Sequence, residues 1–186
     1  NLLLSVVIEP NINSNNQAVI SKIVALLVCD LLKSLGLNPK IKWPNDILVN
    51  KQKIAGILIQ NKLKGNLISH SVIGIGLNIN QLNFEEYLPK ATSLQLLLSK
   101  EFDIDKIQIQ LLQFLSDRIK QFRDGFYQEQ EYLSALFLKD KVAAFESANQ
   151  KFMGIIKGVS QSGKLLIQLE DDSIAKFNNQ EVKFLF

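Results

Sequence analysis

One cysteine, one histidine and one methionine are all that this 186-residue chain holds of three residue types that carry much of protein chemistry. Cys29 has no second cysteine to pair with, which excludes an internal disulfide framework. With His70 as the lone histidine, no cage of cysteine and histidine ligands can be built around a metal ion. The longest apolar runs, Ile23 to Cys29 and Val72 to Leu77, are far shorter than the ~20 residues that a membrane span requires. Asn1 to Ile8 is apolar, but no basic segment precedes it and no small-residue cleavage site follows, so it is not expected to be a signal peptide. A reducing cytoplasm is the expected location. The chain opens on asparagine and its methionine is Met153, so it is expected to be a piece of a longer protein.

Arginine is scarce as well: Arg118 and Arg123 stand against a long series of lysines scattered from Lys22 to Lys183 among acidic residues. The formal charge is only +3. A nucleic-acid module would cluster its basic residues on one face with interleaved aromatics, so this pattern reads as a solvated mixed-charge surface and does not support nucleic-acid binding. Apolar residues at 47% and charged ones at 21% are ordinary globular composition and exclude a disordered or fibrous chain.

Periodicity supplies the elements. Leu2 to Glu9 is a continuous apolar run that predicts a buried strand closed by Pro10. Ser14, Asn15 or Asn16 offers a cap to a helix in which Ile20, Val24, Leu27, Leu31 and Leu35 recur at helical spacing, with Gly36 as its stop. Cys29 lies on the flank of that stripe and is expected to pack. Short strands then follow at 40–43, 47–49 and 54–60, with a longer one from Leu67 to Ile79; the turns between them predict an antiparallel meander. Helical spacing returns from Thr92, with one helix capped by Asp103 or Asp105 and a second from about Gln128 to Leu138. Beyond Leu138 five short strands separated by turn residues predict a small barrel. The expected division is therefore 1–138 and 139–186.

Three stretches could carry chemistry. Lys42-Trp43-Pro44-Asn45-Asp46 is good turn sequence with Trp43 available to a core; alternatively, a proline-fixed backbone presents an amide and a carboxylate from a rigid strand end. Lys53 enters the next strand of a hairpin that would return it to Asp46, where an ammonium is either solvated or able to meet a phosphate. In Gly74-Ile75-Gly76-Leu77-Asn78-Ile79-Asn80, alternation puts Gly74, Gly76 and Asn78 on one face. Two missing side chains there make a trough, and Gly56 in the neighbouring strand adds a flat spot. Strand glycine asks for a bulge, a close helix, or a ligand lying flat. The segment is neither a dinucleotide fingerprint nor a phosphate loop. His70 and Asp171-Asp172 are expected to be solvated.

In this order and spacing, Lys42 to Asp46, Lys53 ahead of Ala55-Gly56-Ile57-Leu58, and Gly74 to Asn80 resemble the biotin protein ligases. Gly158 to Leu166 with Glu181-Val182 is similar to that family's small SH3-like domain, although the usual glycine before Glu-Val is Gln180 here. The resemblance implies an α+β fold, with a mixed or antiparallel sheet and packed helices of the class II synthetase-like kind, followed by an SH3-like β-barrel. It implies ATP-dependent activation of biotin to biotinyl-5′-adenylate and transfer to one lysine of a biotin carboxyl carrier domain, with magnesium carried on the nucleotide. By the same resemblance Lys53 and Asp46 are catalytic, and Lys42, Trp43, Asn45, Gly56, Gly74, Gly76 and Asn78 bind substrate or nucleotide. A homodimer stays open. The family's Gly-Arg-Gly-Arg loop and biotin-ring contacts precede the strand that matches Leu2 to Glu9. The chain is therefore expected to hold the adenylate half of the site and to be poorly active or inactive alone. Lipoate or octanoate ligases, and a non-catalytic binding or regulatory module on the same fold, stay open beside this reading.

Overall fold

A computed structural model describes residues 1–85, 90–126 and 129–185. Its first sheet is antiparallel throughout and runs in the order β1 (Leu2–Ile8), β6 (Leu67–Leu77), β5 (Gln52–Lys64), β4 (Asp46–Val49), β3 (Lys40–Lys42), with the short β2 (Ile12–Asn13) also paired to β6. This is the meander expected from the short turns. Asn50 and Lys51 both adopt the left-handed conformation that a tight hairpin demands, which brings β5 straight back along β4. One expectation fails. β1 is not buried on both sides: Leu3, Ser5 and Val7 face outward while Leu2 is buried, because β1 lies against helices on one side only.

The covered face packs on α1 (Ala18–Ser34). The sequence stripe underestimates how enclosed this helix is. Val24 to Cys29 are all buried, because α1 is wedged between the sheet, α3 (Ile104–Arg123) and α4 (Glu129–Ala135). Burial raises the Cys29 thiol to about 12, so this cysteine packs and does not react. The helix start also departs from expectation. Asn13 caps a single 3-10 turn at Ser14–Asn16, and the first amide of α1, at Ala18, is satisfied by the carbonyl of Gln161 from the distant second sheet. Gly36 ends α1 with φ near +83°. A short α2 (Leu94–Leu98) is capped by Ser93, and Asp103 caps α3. The expected start of the next helix, Gln128, lies outside the described residues, as does Phe186 at the end of the last expected strand. Among the described residues no helix is long and apolar enough to cross a membrane.

The second sheet takes the order β10 (Ile174–Phe177), β9 (Leu165–Gln168), β8 (Gln150–Val159), β7 (Val142–Ser147), β11 (Lys183–Leu185), again antiparallel. Phe145, Phe152 and Phe184 form a cross-strand row of ring contacts with centroids 5.4–5.6 Å apart. Phe177 stacks on Phe152 at 5.7 Å although β9 lies between their strands, so the sheet is strongly curled.

Two partly buried ionic clusters join these layers. Lys22 on α1 donates to both oxygens of Glu129 (2.8 and 2.9 Å) and to the Val159 carbonyl (3.1 Å). Arg118 of α3 donates to both oxygens of Asp30 and both of Glu131 at 2.6–3.0 Å, tying three helices together. These hydrogen bonds hold the Glu131 carboxyl below its ordinary value of 4.5, against the opposing effect of burial. A depressed folded-state value contributes stability that is present above 4.5 and lost as pH falls through the folded value. Glu131→Gln is therefore expected to unfold at a lower temperature than wild type at neutral pH. That gap should close on acidification below 4.5, as thermal melts across the acid range would show.

Candidate active site

Antiparallel register builds the site on the uncovered face of the first sheet. Lys42 of β3 lies opposite Asp46 of β4, Asp46 opposite Gly56 of β5, Gly56 opposite Gly76 of β6, and Gly76 opposite Leu3 of β1. Residues directly opposite share a face, so one row crosses five strands from a cation through a carboxylate and two glycines to an apolar side chain. The next row runs Leu58, Gly74, Ser5. Leu3 and Leu58, 86% and 63% exposed, rise on either side of the glycine floor. Together these residues enclose a shallow trough of about 350 Å³.

Lys53 joins this face through an irregularity that simple alternation would miss. Ile47 pairs with Ala55 and Leu48 with Lys53, leaving Ile54 as the extra residue of a bulge. Ile54 and Ala55 are consequently both buried. Three positions apart in an unbroken strand, Lys53 and Gly56 would lie on opposite faces; the bulge puts them on the same one. A Cβ at Gly56 would stand 3.4 Å from the Lys53 Nζ, and that ammonium is 2.5 Å from Asp46 Oδ1. Lys42 is 4.0 Å from the other Asp46 oxygen. Two lysines thus converge on one carboxylate at the end of the trough. The main chain of Lys53 is fixed from its far side, its N–H donating to Lys90 and its carbonyl accepting from Thr92.

The remaining expected residues are placed differently. Asn45 stands at the rim, and its main chain and side chain bind one residue of β5: its carbonyl accepts the Ile57 N–H and its carboxamide donates to the Ile57 carbonyl at 2.9 Å. Asn78 follows Gly76 on the same face but just past the end of β6, where its carboxamide donates to the Thr92 carbonyl at 3.0 Å. It steadies the segment that flanks Lys53. Trp43 is buried, just ahead of a cis Trp43–Pro44 peptide bond, and its indole N–H donates to the Gly163 carbonyl. Lys42, Asn45, Asp46, Lys53, Gly56, Gly74 and Gly76 are therefore brought together, and Trp43 is not. His70 is exposed, beside Ser69 and Glu9. Leu3, Ser5 and Leu58 were not foreseen as lining; only the pairing partners of β6 reveal them. Among the described residues no three His, Cys, Asp or Glu side chains cluster in a way that could hold a metal ion.

The explanations for strand glycine can now be separated. Among the described residues no helix covers Gly74 or Gly76, and no register shift falls at either. A Cβ at Gly74 would meet only the Leu58 main chain and Cβ at 3.6–3.8 Å, and one at Gly76 would meet Leu3 at 3.5 Å. These are ordinary contacts, so the protein itself does not need glycine there. Of the explanations for strand glycine, a ligand lying flat on the floor is the one these contacts leave open. With cations at one end and apolar walls along it, the trough suits a molecule that joins an anionic reacting centre to flat or apolar parts.

Residues 1–78 match the model of the biotin/lipoate A/B protein ligase family. The bifunctional ligase/repressor BirA of Bacillus subtilis is 28% identical over 187 residues, which cover 97% of this chain and 57% of that protein. The biotin--[acetyl-CoA-carboxylase] ligase of Mycobacterium tuberculosis is 33% identical over 131 residues, covering 69% of this chain and 47% of that one. Among solved structures, the biotin protein ligase of Aquifex aeolicus in complex with biotin and ATP superposes with a TM-score of 0.78 at 22% identity, covering 99% of this chain and 78% of that one. That likeness supports the α+β fold with its antiparallel sheets. The chain spans about half the length of the BirA proteins it matches.

If the floor is kept bare for a ligand, Gly74→Ala should unfold at or slightly above the wild-type temperature, since alanine is the better strand residue. Gly154→Ala is the contrast. Its Cβ would sit 2.5 Å from the Ile167 side chain, so a loss of about 1–3 kcal/mol is expected. Thermal or urea unfolding of the two variants checks both; a Gly74→Ala chain as damaged as Gly154→Ala would mean that the floor serves packing.

Proposed function

We propose that this chain, a relative of the biotin protein ligases in sequence and in fold, binds biotinyl-5′-adenylate along the glycine-floored trough as part of an ATP-dependent biotin protein ligase. The observation that carries the reading is the row Lys42, Asp46, Gly56, Gly76, Leu3 with Lys53 poised over its polar end. In the first step a biotin carboxylate oxygen attacks the α-phosphorus of ATP and pyrophosphate departs with the anhydride electrons. Lys53 neutralises the charge that develops on the α-phosphate and polarises the acyl carbonyl. In the second step a lysine amine of a carrier domain attacks that carbonyl and AMP leaves; Asp46 orients the amine and Lys42 adds positive charge beside it. Gly56, Gly74 and Gly76 let the adenylate approach the backbone. Asn45, beside Ile57, and Asn78, beside Ile54, flank the adenylate from the two sides of the Gly56–Gly76 pair. Magnesium belongs to the ATP substrate.

The acceptor is a biotin carboxyl carrier domain of a carboxylase, in keeping with the ligase names of the relatives. Residues 1–138 form the ligase-type domain and 139–186 an SH3-like barrel; the Phe152–Phe177 stacking, which curls the second sheet, supports the latter. ATP and carboxylase acceptors suit a cytoplasmic site of action.

Calorimetric titration with a non-hydrolysable biotinyl-adenylate analogue, its lipoyl equivalent and AMP tests the reading. In a full-length protein carrying these residues, the biotinyl compound should bind more tightly than AMP or the lipoyl analogue. A preference for the lipoyl compound would move the assignment to lipoate chemistry, and no binding of any of them would sink it. In a full-length protein carrying these residues, Lys53→Ala should abolish adenylate formation, a loss of roughly 3 kcal/mol or more of transition-state stabilisation, while the melting temperature holds.

A further inference from the structure

We propose that Trp43 is a positioning residue that couples the second sheet to the active-site rim, rather than a ligand contact. This rests on the functional reading above. Three consecutive carbonyls of one loop are each held by a different donor of the first sheet and its helix: Gln161 by the Ala18 amide (3.3 Å), Ser162 by the Gln17 carboxamide (3.2 Å), and Gly163 by the Trp43 indole (3.0 Å). The loop is itself stiff. Ser160 and Lys164 close it through main-chain hydrogen bonds, and the Ser160 hydroxyl accepts the Lys164 amide. Of the three donors, only Trp43 is buried inside the sequence that makes the site, one residue from Pro44 and two from Asn45.

The geometry gives this tie a consequence for binding. A cleft of about 340 Å³ separates Ser162, Gly163 and Asn179 on one wall from Pro44, Asn45 and Leu58 on the other. It shares Asn45, Ile57 and Leu58 with the glycine trough and so continues it. Among the described residues no charged side chain lines it, in contrast to the Lys42–Asp46–Lys53 end, so it takes an uncharged hydrogen-bonding part of the ligand. The indole N–H fixes the distance between the two walls. It also fixes Asn45, whose two hydrogen bonds to Ile57 set the rim of the trough. An aromatic ring without a donor would leave the Gly163 carbonyl, the point of the second wall nearest the rim sequence, without its tie to the first sheet.

Trp43→Phe removes that donor and keeps an aromatic ring at the position. In the labelled chain, exchange of the Ile57 amide, which Asn45 accepts, should accelerate about fivefold or more, as loss of one hydrogen bond implies. Amides in the middle of β6 should keep their rates, and the dissociation constant for AMP should rise by a similar factor. An unchanged Ile57 rate, or β6 amides accelerating by the same factor, would overturn the proposal, the latter because it reports a general loss of stability. Faster Ile57 exchange with unaltered AMP affinity would overturn the link to the site. If the wild-type chain binds no AMP, the exchange rates alone decide the coupling and the functional reading fails separately. Should Trp43→Phe not fold, Gln17→Ala frees the neighbouring Ser162 carbonyl and is read by the same exchange measurement.

Discussion

Strand register across the first sheet is the constraint on which the site depends. The side-chain period of a strand is two, so a slip of one residue between any pair would send the glycines to the core and Ile57 and Ile75 to solvent. The buried isoleucines of β5 and β6 therefore hold the floor in place from behind, since burying them on α1 is possible in one register only. A bulge at Ile54 departs from that register beside the floor and puts the Lys53 ammonium on the same face as Gly56, while a second shift, between Lys62 and Leu63, falls at the far end of β5. Lys53, Asp46 and the glycines are thus not a cluster gathered by loops. They are points on one pleated lattice, stiff because the lattice is stiff.

Much of this was legible in the sequence, for a physical reason. Glycine pairs at strand spacing, a proline-fixed turn and a lysine at a hairpin return each have few explanations, and the turn at Asn50-Lys51 sets which residues meet. The Lys53–Asp46 contact and the shared face of Gly74 and Gly76 follow from local geometry alone. Other features depend on partners far away in the chain. That β1 exposes Leu3 and Val7 is decided by what covers it, and an apolar run reads the same whether one face or two is buried. Trp43 illustrates the same limit. Its place beside Pro44-Asn45-Asp46 suggests a ligand contact, yet its hydrogen bond goes to Gly163, 120 residues away. Asn13 and Gln161 share a helix start that the sequence assigned to Ser14, Asn15 or Asn16.

Lys22 and Arg118 show what the core of such a molecule tolerates. Both are charged groups at helix contacts: Lys22 donates to a carboxylate and a carbonyl, and Arg118 to two carboxylates. Removing one partner would leave a charge in a poorly solvated place, which makes each cluster costly to break and selective about how the helices meet. Around α1, then, apolar packing sets the amount of stability, and the two cations set the arrangement.

The open face has a thermodynamic corollary. Leu3, Leu58, Val7 and Val72 stand exposed on the sheet, so part of the apolar surface that most proteins hide on folding is left in contact with water. Whatever settles on this floor will release that water, and the released hydration shell carries heat capacity. Its association will therefore grow steadily more exothermic as the temperature rises.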